Sequence, residues 1–335
     1  MIKGNYLLIS ISLLSLFSCG SKNTTQQSAQ AKLSPIDSLS QLLAVDRDNT
    51  NLLYQRAKLY VEKGDYTAAK IDISKAILRD TTKADYYPLL ADIYMGLRQP
   101  VGAKAALEKC VEVAPNHVEG LNKLAEFNLF LKNYQETIRL ADRALRVDIH
   151  NPKSYFIKGF AFMESGDTNK AINSMQTAVE QNPDYYEAFL QLGILFSAKK
   201  SKLAVNYFSN ASQLQPNNIE PYYNLGMFYQ NAGQIDKAIE TYRLLLKLDN
   251  KDADTHYNLG YIDFMYKKAY DSAILNFTQA LANDKKMAKA AYMRGLCYEA
   301  LKRNDKAKAE YAFALKIDSS FALAAKANLR LLGLK

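Results

Sequence analysis

The chain has 335 residues and a formal net charge of +9, with 48% hydrophobic and 23% charged residues. This composition is typical of a folded protein that is long enough for two ordinary domains or one elongated repeat array. With only three cysteines and three histidines, a disulfide framework is excluded. These residues share no metal-ligand spacing, so we expect neither a metal ion nor a cofactor.

The N-terminus predicts a secreted protein with a lipid anchor. Residues 1–18 have the form of a signal peptide, because Lys3 precedes an apolar stretch that ends near Phe17 and is shorter than the roughly 20 residues of a bilayer span. The sequence LFSCG at 16–20 resembles the lipobox of bacterial lipoproteins, which implies lipidation of Cys19. Residues 19–33 would then form a polar, flexible tether. The alternative is an ordinary secretory signal in which Cys19 has no role.

The lipobox resemblance places the protein in the bacterial cell envelope. Gly20 follows the Cys and no acidic residue lies close behind it, so the expected location is the outer membrane, on the side that faces the periplasm. This location argues against nucleic acid as a partner.

The positive charge is concentrated at the C-terminal end. From Lys285 to Lys335 there are twelve Lys or Arg residues and four Asp or Glu residues, whereas residues 4–284 are balanced. This end could attract an acidic partner protein or an anionic envelope polymer. The alternative is a solvated helix face.

A pattern of small residues repeats about every 34 positions. The sequence YNLG occurs at 223–226 and again at 257–260, and stepping along the chain from its Gly gives a small residue in every unit. These residues are Ala57, Ala91, Ala125, Gly159, Gly193, Gly226, Gly260 and Gly295, with one residue lost before Gly226 and one gained after Gly260. Further small series begin at Ala69 and Ala76. A fixed period of this length indicates stacked helical repeats.

Each unit is predicted to be a pair of amphipathic helices. In one unit the first helix covers about Pro221 to Asn231 and the second about Ile235 to Leu248. Gly233 lies between them as a left-handed helix stop, and Gly64 and Gly166 occupy the same place, each followed by an Asp that can cap the next helix. One such hairpin cannot bury its apolar face alone, so neighbouring hairpins must stack.

The phased small residues, the aromatic residues between them and the turns at Pro115, Pro183 and Pro216 resemble the tetratricopeptide repeat (TPR) family. The resemblance implies an all-α, right-handed solenoid of about eight helix-turn-helix units. The units are predicted at 50–83, 84–117, 118–151, 152–185, 186–218, 219–252, 253–287 and 288–321. Capping helices are predicted at 34–49 and 322–335.

In that family the first helices line a concave groove that receives peptides or helices. At the corresponding positions, units one to three carry charge: Arg56, Lys58, Glu62, Asp85, Asp92, Glu119, Lys123 and Glu126. Units four to eight carry the predicted partner-binding residues, which are Phe156, Phe160, Met163, Ile194, Tyr223, Asn224, Met227, Tyr257, Asn258, Tyr261, Phe264, Tyr292 and Met293. The resemblance implies that the two Asn side chains bond a ligand backbone. The alternative is that these residues belong to the repeat pattern and pack neighbouring first helices.

The sequence contains no nucleophile with a nearby base, no paired catalytic carboxylates and no Gly-rich loop, so we expect no enzyme. We expect a lipid-anchored scaffold of the envelope, similar to the TPR lipoproteins that support pilus assembly, barrel insertion, secretion or peptidoglycan enzymes. The alternative is a glycan-binding lipoprotein of nutrient uptake. It ranks lower because the chain has no Trp and almost no insertions between its units.

Overall fold

The computed structural model describes residues 33–333, which form eighteen α-helices and one π-helical turn. The helices are α1 Pro35–Val45, α2 Thr50–Glu62, α3 Tyr66–Arg79, α4 Tyr86–Gly96, α5 Pro100–Val113, α6 Val118–Phe130, α7 Tyr134–Val147, α8 Pro152–Glu164, α9 Thr168–Gln181, α10 Tyr186–Ala198, α11 Leu203–Leu214, α12 Glu220–Asn231, α13 Ile235–Leu248, α14 Ala253–Ile262, α15 Tyr270–Asn283, α16 Ala288–Ala300, α17 Asn304–Ile317 and α18 Ala322–Leu331. The π-helical turn is Asp263–Lys267, directly after α14.

Helices α2 to α17 form eight antiparallel hairpins, and α1 and α18 lie at the two ends of the stack. The even-numbered helix of each hairpin is its first helix, and the odd-numbered helix is its second. The predicted all-α solenoid of eight hairpins with a helix at each end is confirmed. The predicted signal peptide, Cys19 and all of the tether except Leu33 lie outside the described residues. Within 33–333, no helix has the length and apolar character needed to cross a bilayer.

The small residues sit where the two helices of a hairpin touch. A Cβ atom added to Gly226 in α12 would lie 2.4 Å from the ring of Tyr242 in α13. Gly193 and Gly260 meet the rings of Phe208 and Phe277 in the same way, at 2.5 and 2.9 Å. The series that begin at Ala69 and Ala76 are likewise fully buried. Glycine is therefore required for the close approach of these helices, as the 34-residue pattern predicted.

All eight hairpin turns contain one residue in the left-handed conformation. Gly64, Gly166 and Gly233 have φ of +77°, +89° and +72°, which confirms them as helix stops. The equivalent residues of the other five units are basic: Arg98, Lys132, Lys200, Lys268 and Lys302, with φ between 53° and 60°. The sequence pattern did not predict this conformation at Lys or Arg, which lack the conformational freedom of glycine.

The extra residue after Gly260 is absorbed by the π-helical turn in unit seven. Here the N–H of Ala269 donates to the carbonyl of Asp263, six residues back, at 2.9 Å. In unit eight the N–H of Arg303 donates to the carbonyl of Tyr298, only five residues back, at 2.8 Å. A π turn takes one more residue than an α turn, so the next helix keeps its place in the stack.

Candidate functional site

Successive first helices lie side by side and create one continuous surface, here called the first-helix face (α2, α4, α6, α8, α10, α12, α14 and α16). Ion pairs bridge neighbouring helices on it: Lys123 in α6 bonds Asp92 in α4. Lys153 reaches Glu126 at 3.0 Å, and in the C-terminal half Lys289 reaches Asp254 at 2.9 Å. Each of these pairs joins residues of successive units, about 30 positions apart in the chain, so side chains of neighbouring first helices meet on this face.

The predicted groove residues lie on the first-helix face but contribute much of their surface to packing. Asn258 and Met293 are buried and the other eleven are partly buried. Phe156 stacks obliquely on Phe160, with ring centroids 5.8 Å apart, and on Tyr185 at 5.1 Å. Tyr257 contacts Phe277 at 5.6 Å. These side chains therefore pack against their neighbours, as the alternative interpretation holds, and partner binding by their exposed remainder stays a prediction.

Tyr257 shows how this half of the face is arranged electrostatically. The ammonium of Lys289 lies 4.5 Å from the ring centroid, within the range of a cation–π interaction. Burial raises the pKa of the Tyr257 hydroxyl, and the nearby Lys289 opposes that rise. The phenol stays neutral at physiological pH and can donate or accept a hydrogen bond.

The two Asn side chains of the YNLG repeats differ in their availability. Asn224 is partly exposed and its amide donates to the carbonyl of Glu220 in its own helix at 3.0 Å. Asn258 is only 7% exposed, and its amide points to the sulfur of Met227 at 3.5 Å. Contact of Asn258 with a ligand backbone would require its neighbours to move, whereas Asn224 presents its carbonyl oxygen without rearrangement.

The sequence interpretation missed the most exposed apolar residues of this face, which lie in units two and three. Phe130 at the end of α6 is 75% exposed and Met95 near the end of α4 is 47% exposed. They flank a cleft of about 240 Å³ whose walls include Asp92, Lys123 and Glu126. Met95 and Phe130 occupy the twelfth and thirteenth positions of their units, so the same position rule would have found them.

A second cleft lies at the C-terminal end of the first-helix face, between α16 and α18. It has a volume of about 650 Å³ and is lined mainly by apolar side chains, including Tyr292, Leu296 and Leu323. Lys326 and Arg330 supply its charge, and Arg330 is also paired with Glu299 at 2.6 Å. This cleft combines an apolar wall with cations, unlike the mixed charge of the first cleft.

Arg56 does not belong to the groove, contrary to the sequence interpretation. Its guanidinium donates to both carboxylate oxygens of Asp72 at 2.7 and 2.8 Å, and to the hydroxyl of Ser40 at 2.8 Å. Asp72 is 2% exposed. Arg56 therefore ties α1, α2 and α3 together inside the first hairpin instead of facing a partner.

The two cysteines of the described residues are buried, and neither is available as a nucleophile. Burial raises the pKa of the Cys110 thiol to about 11 and that of Cys297 to about 12, which removes the thiolate needed for nucleophilic attack. Across 33–333 no three His, Cys, Asp or Glu side chains come together in a way that could hold a metal ion.

Family models described as tetratricopeptide repeats match 50–82, 84–117 and 152–185, 207–240 and 262–322. A further model, described as TPR repeat, matches 227–262. Together these matches cover more than half of the chain. The chain belongs to the tetratricopeptide repeat family. These models describe a repeat that serves protein–protein contacts, and they do not describe an enzyme family.

Relatives of this TPR protein are distant and longer. Anaphase-promoting complex subunit 3 of Schizosaccharomyces pombe is 20% identical over 292 residues, which are 87% of this chain and 44% of that protein. Tetratricopeptide repeat protein 8 of Caenorhabditis elegans is 22% identical over 209 residues, which are 62% of this chain and 41% of that protein. The TPR chain thus spans less than half the length of either relative.

Solved structures of bacterial TPR proteins are similar in fold. PilW, described as a widely conserved type IV pilus biogenesis factor, matches with a TM-score of 0.54 and 19% identity over 59% of this chain and 92% of its own. A TPR protein of Parabacteroides merdae matches with a TM-score of 0.51 and 16% identity over 74% of this chain and 98% of its own. At such low identity these likenesses show the fold alone.

Proposed function

We propose that this TPR protein is a lipid-anchored scaffold of the bacterial cell envelope that binds a partner peptide or helix on its first-helix face. The observation that carries the proposal is the exposed pair Met95 and Phe130 beside a cleft of about 240 Å³. Apolar side chains that are exposed together beside a cleft form the kind of patch that marks an interaction site. The ion pairs around them can fix the orientation of that partner.

The partner is expected to extend along the face toward the C-terminal end. Tyr261 and Phe264 continue the apolar surface in unit seven, and the cleft at Tyr292 ends it. Aromatic and Met side chains suit partner surfaces because they give large contact areas and adapt their shape. An extended peptide or an amphipathic helix fits such an elongated surface.

A protein partner is favoured over a glycan because the connections within 33–333 are short. The connections between successive α-helices contain three to seven residues, the longest being 263–269 with the π-helical turn, which leaves no inserted loop to carry a sugar platform. The basic C-terminal end remains a second candidate contact for an acidic partner or an anionic envelope polymer.

The anchor rests on the sequence LFSCG at 16–20. Each buried methylene of an acyl chain contributes about 0.8 kcal/mol, so two or three chains on Cys19 would hold the protein stably in a membrane. The outer membrane, facing the periplasm, is the proposed location. In a role like that of PilW, the scaffold would serve pilus biogenesis. The same anchor would also suit a scaffold for another machine of the envelope.

Truncation of the exposed pair tests the binding face. We expect Met95→Ala/Phe130→Ala to lower recovery of the partner from detergent-solubilised envelopes by about tenfold or more, because loss of one anchoring side chain costs ~2 kcal/mol or more. Leu78→Ala/Val101→Ala is the matched control, since both residues are more than 80% exposed but lie on second helices. The measurement is quantitative mass spectrometry of proteins that co-purify with each variant. Equal losses in the two double variants, or none in either, would contradict the proposed face.

Metabolic labelling with a fatty acid tests the anchor independently. The wild type should incorporate the label and float with outer-membrane fractions, whereas Cys19→Ser should do neither. Label retained by Cys19→Ser would show that the lipid is attached elsewhere or that the lipobox resemblance is misleading.

A further inference from the structure

The hairpin turns of the C-terminal half carry an unusual concentration of positive charge. We define the hairpin edge as residues 198–203, 232–237, 265–271 and 301–306, the turns of units five to eight. It contains nine Lys or Arg residues and three Asp residues. All nine cations are exposed; they are Lys199, Lys200, Lys202, Lys237, Lys267, Lys268, Lys302, Arg303 and Lys306.

The opposite edge of the solenoid has no such excess of positive charge over the same region. The connections 215–220, 247–254 and 282–289, which join units five to eight, contain five acidic residues and five Lys residues. Antiparallel hairpins place the turns within units on one edge and the connections between units on the other. The C-terminal half is therefore polarised across its width, with the cations on the hairpin edge.

The turns of the hairpin edge are close enough to act together. Arg303 in the turn of unit eight bonds Asp271 in the turn of unit seven at 3.2 Å. Lys267 in the turn of unit seven shares a cleft of about 400 Å³ with Asp236 and Arg243 in unit six. Units six to eight thus present one continuous strip.

Folding alone does not account for these cations. Lys200, Lys268 and Lys302 adopt φ of 53°, 55° and 59°, a conformation that costs a non-Gly residue roughly 1–2 kcal/mol. A cation at the end of a helix regains part of that cost through the helix dipole. The dipole does not explain Lys202, Lys237 and Lys306, which lie at the starts of second helices, where it disfavours a cation.

Exposed apolar side chains accompany the cations on the hairpin edge. Tyr266 and Met265 in the π-helical turn are 52% and 42% exposed, directly before Lys267 and Lys268. Leu203 is exposed to a similar degree and directly follows Lys202 in the chain. Basic residues interleaved with Tyr, Met and Leu are the chemistry of a surface that rests on an anionic bilayer, where cations meet head groups and apolar side chains enter the interface.

We infer that the hairpin edge of units five to eight docks on an anionic lipid bilayer, with the π-helical turn inserted deepest. The proposal is separate from lipidation of Cys19, because the hairpin edge begins only at residue 198, far from Cys19 in the chain. It assigns a function to the positive charge that the proposed partner-binding face does not use. It also orients the solenoid, since the opposite edge, whose charges are balanced, would point away from the membrane.

A single-Trp variant tests this docking, because the chain has no Trp of its own. Tyr266→Trp places the reporter on the hairpin edge, and Ile149→Trp places it at an exposed site on the opposite edge. Each full-length variant is reconstituted with vesicles of phosphatidylglycerol or of phosphatidylcholine that carry brominated acyl chains. Any N-terminal anchor is common to all samples, so differences between them report the edge itself.

We expect the fluorescence of Tyr266→Trp to shift to the blue and to be quenched by the brominated chains in phosphatidylglycerol vesicles only. Ile149→Trp should show neither effect. Adding Lys267→Gln/Lys268→Gln to Tyr266→Trp should lower the ratio of quenched to unquenched reporter by about tenfold or more, since each cation near an anionic surface is worth about 1 kcal/mol. The control Lys285→Gln/Lys286→Gln, which changes two adjacent exposed cations on the opposite edge, should leave the ratio unchanged.

Equal quenching of Tyr266→Trp and Ile149→Trp would overturn the proposal, as would quenching that is indifferent to lipid charge or to Lys267→Gln/Lys268→Gln. No quenching in any vesicle would also overturn it and would leave an acidic protein as the alternative partner of this edge. Fatty-acid labelling of Cys19→Ser and partner recovery by Met95→Ala/Phe130→Ala read out the proposed function separately.

Discussion

At the scale of single residues, the left-handed position of each hairpin turn separates what the fold needs from what this chain has added. Three units use Gly there and five use Lys or Arg. All eight residues lie in the left-handed region, with φ of 72–89° at Gly and 53–60° at Lys or Arg, but only the Lys and Arg residues are strained there. The strain at the basic turns is a local cost that folding does not require.

Replacing a strained residue should therefore stabilise the protein. Lys132→Gly removes the steric cost of φ +60° but loosens the unfolded chain, so we expect a net gain of about 0.5–1 kcal/mol. Gly233→Ala is the reverse change and should lose about 1 kcal/mol or more. Urea unfolding followed by circular dichroism measures both. A loss of stability in Lys132→Gly would show that the cation contributes more than its conformation costs.

The two buried thiols give a residue-scale prediction with a pH dependence. Burial raises the pKa of Cys110 from 9.0 to about 11 and that of Cys297 to about 12. Because the fold favours the neutral thiol, this stabilisation is complete below pH about 9 and declines as pH rises toward the folded pKa values. In Cys19→Ser, we expect a thiol reagent at pH 8 to label neither cysteine until urea is added. Rapid labelling of the native protein would contradict the burial.

At the scale of elements, the small residue of a first helix is matched in size to its neighbour on the second helix. In units one, two, six and eight it is Ala where that neighbour is aliphatic and Gly where that neighbour is an aromatic ring. Units one and two pair Ala57 with Ile73 and Ala91 with Leu107, whereas units six and eight pair Gly226 with Tyr242 and Gly295 with Tyr311. The ring of Tyr311 needs the space that a Cβ atom on Gly295 would fill, because the added atom would lie 2.5 Å from the ring.

A double-mutant cycle in unit six tests this rule. Gly226→Ala should destabilise the protein by about 1–3 kcal/mol, because α12 and α13 must separate. Tyr242→Leu should cost about 2–4 kcal/mol through loss of a buried ring. The double variant recreates the Ala–Leu pair of unit two, so its loss should be about 1–2 kcal/mol smaller than the sum. Additive losses in urea unfolding would show that the two positions do not communicate.

At the scale of the whole molecule, the sequence predicted the stack because its phase markers are local and numerous. The predicted second helix of unit six, Ile235–Leu248, matches α13 residue for residue, and the first begins one residue from α12. A left-handed residue marks the turn between the two helices of each unit, and Asn or Asp side chains cap several first helices, among them α2, α8 and α14. The one-residue gain after Gly260 was visible as well, although its form as a π turn was not.

The candidate site was less predictable because a repeat position does not reveal how much of a side chain its neighbours cover. Tyr257 and Phe156 occupy lining positions, yet packing against Phe277 and Tyr185 takes part of their surface. Phe130 has the same type of position and stays exposed. The exposed fraction of such a side chain depends on which side chain of the neighbouring unit packs against it. That neighbour lies about 30 residues away in the chain. The division of an apolar surface between packing and binding therefore needs the structure.

The solenoid is also a one-dimensional object in its energetics, because substantial helix contacts join only helices that are one or two apart in chain order. Stability in such an array is a sum of unit and nearest-neighbour terms. In a chain ending at Ser320, the buried Tyr311 and Ala314 would lose the cover of α18. We expect this truncation to lower amide protection in α16 and α17 and to leave α2 to α5 unchanged.

Hydrogen exchange with mass spectrometry measures this gradient along the chain. Protection should fall most in unit eight and recover within about two units, since local openings in repeat proteins are limited by their neighbours. The matched control is Leu323→Ala, which alters an exposed residue of α18 but keeps the helix in place. Loss of protection throughout the chain would mean that the hairpins unfold as one cooperative body. In that case the first-helix face and the hairpin edge would be coupled by folding.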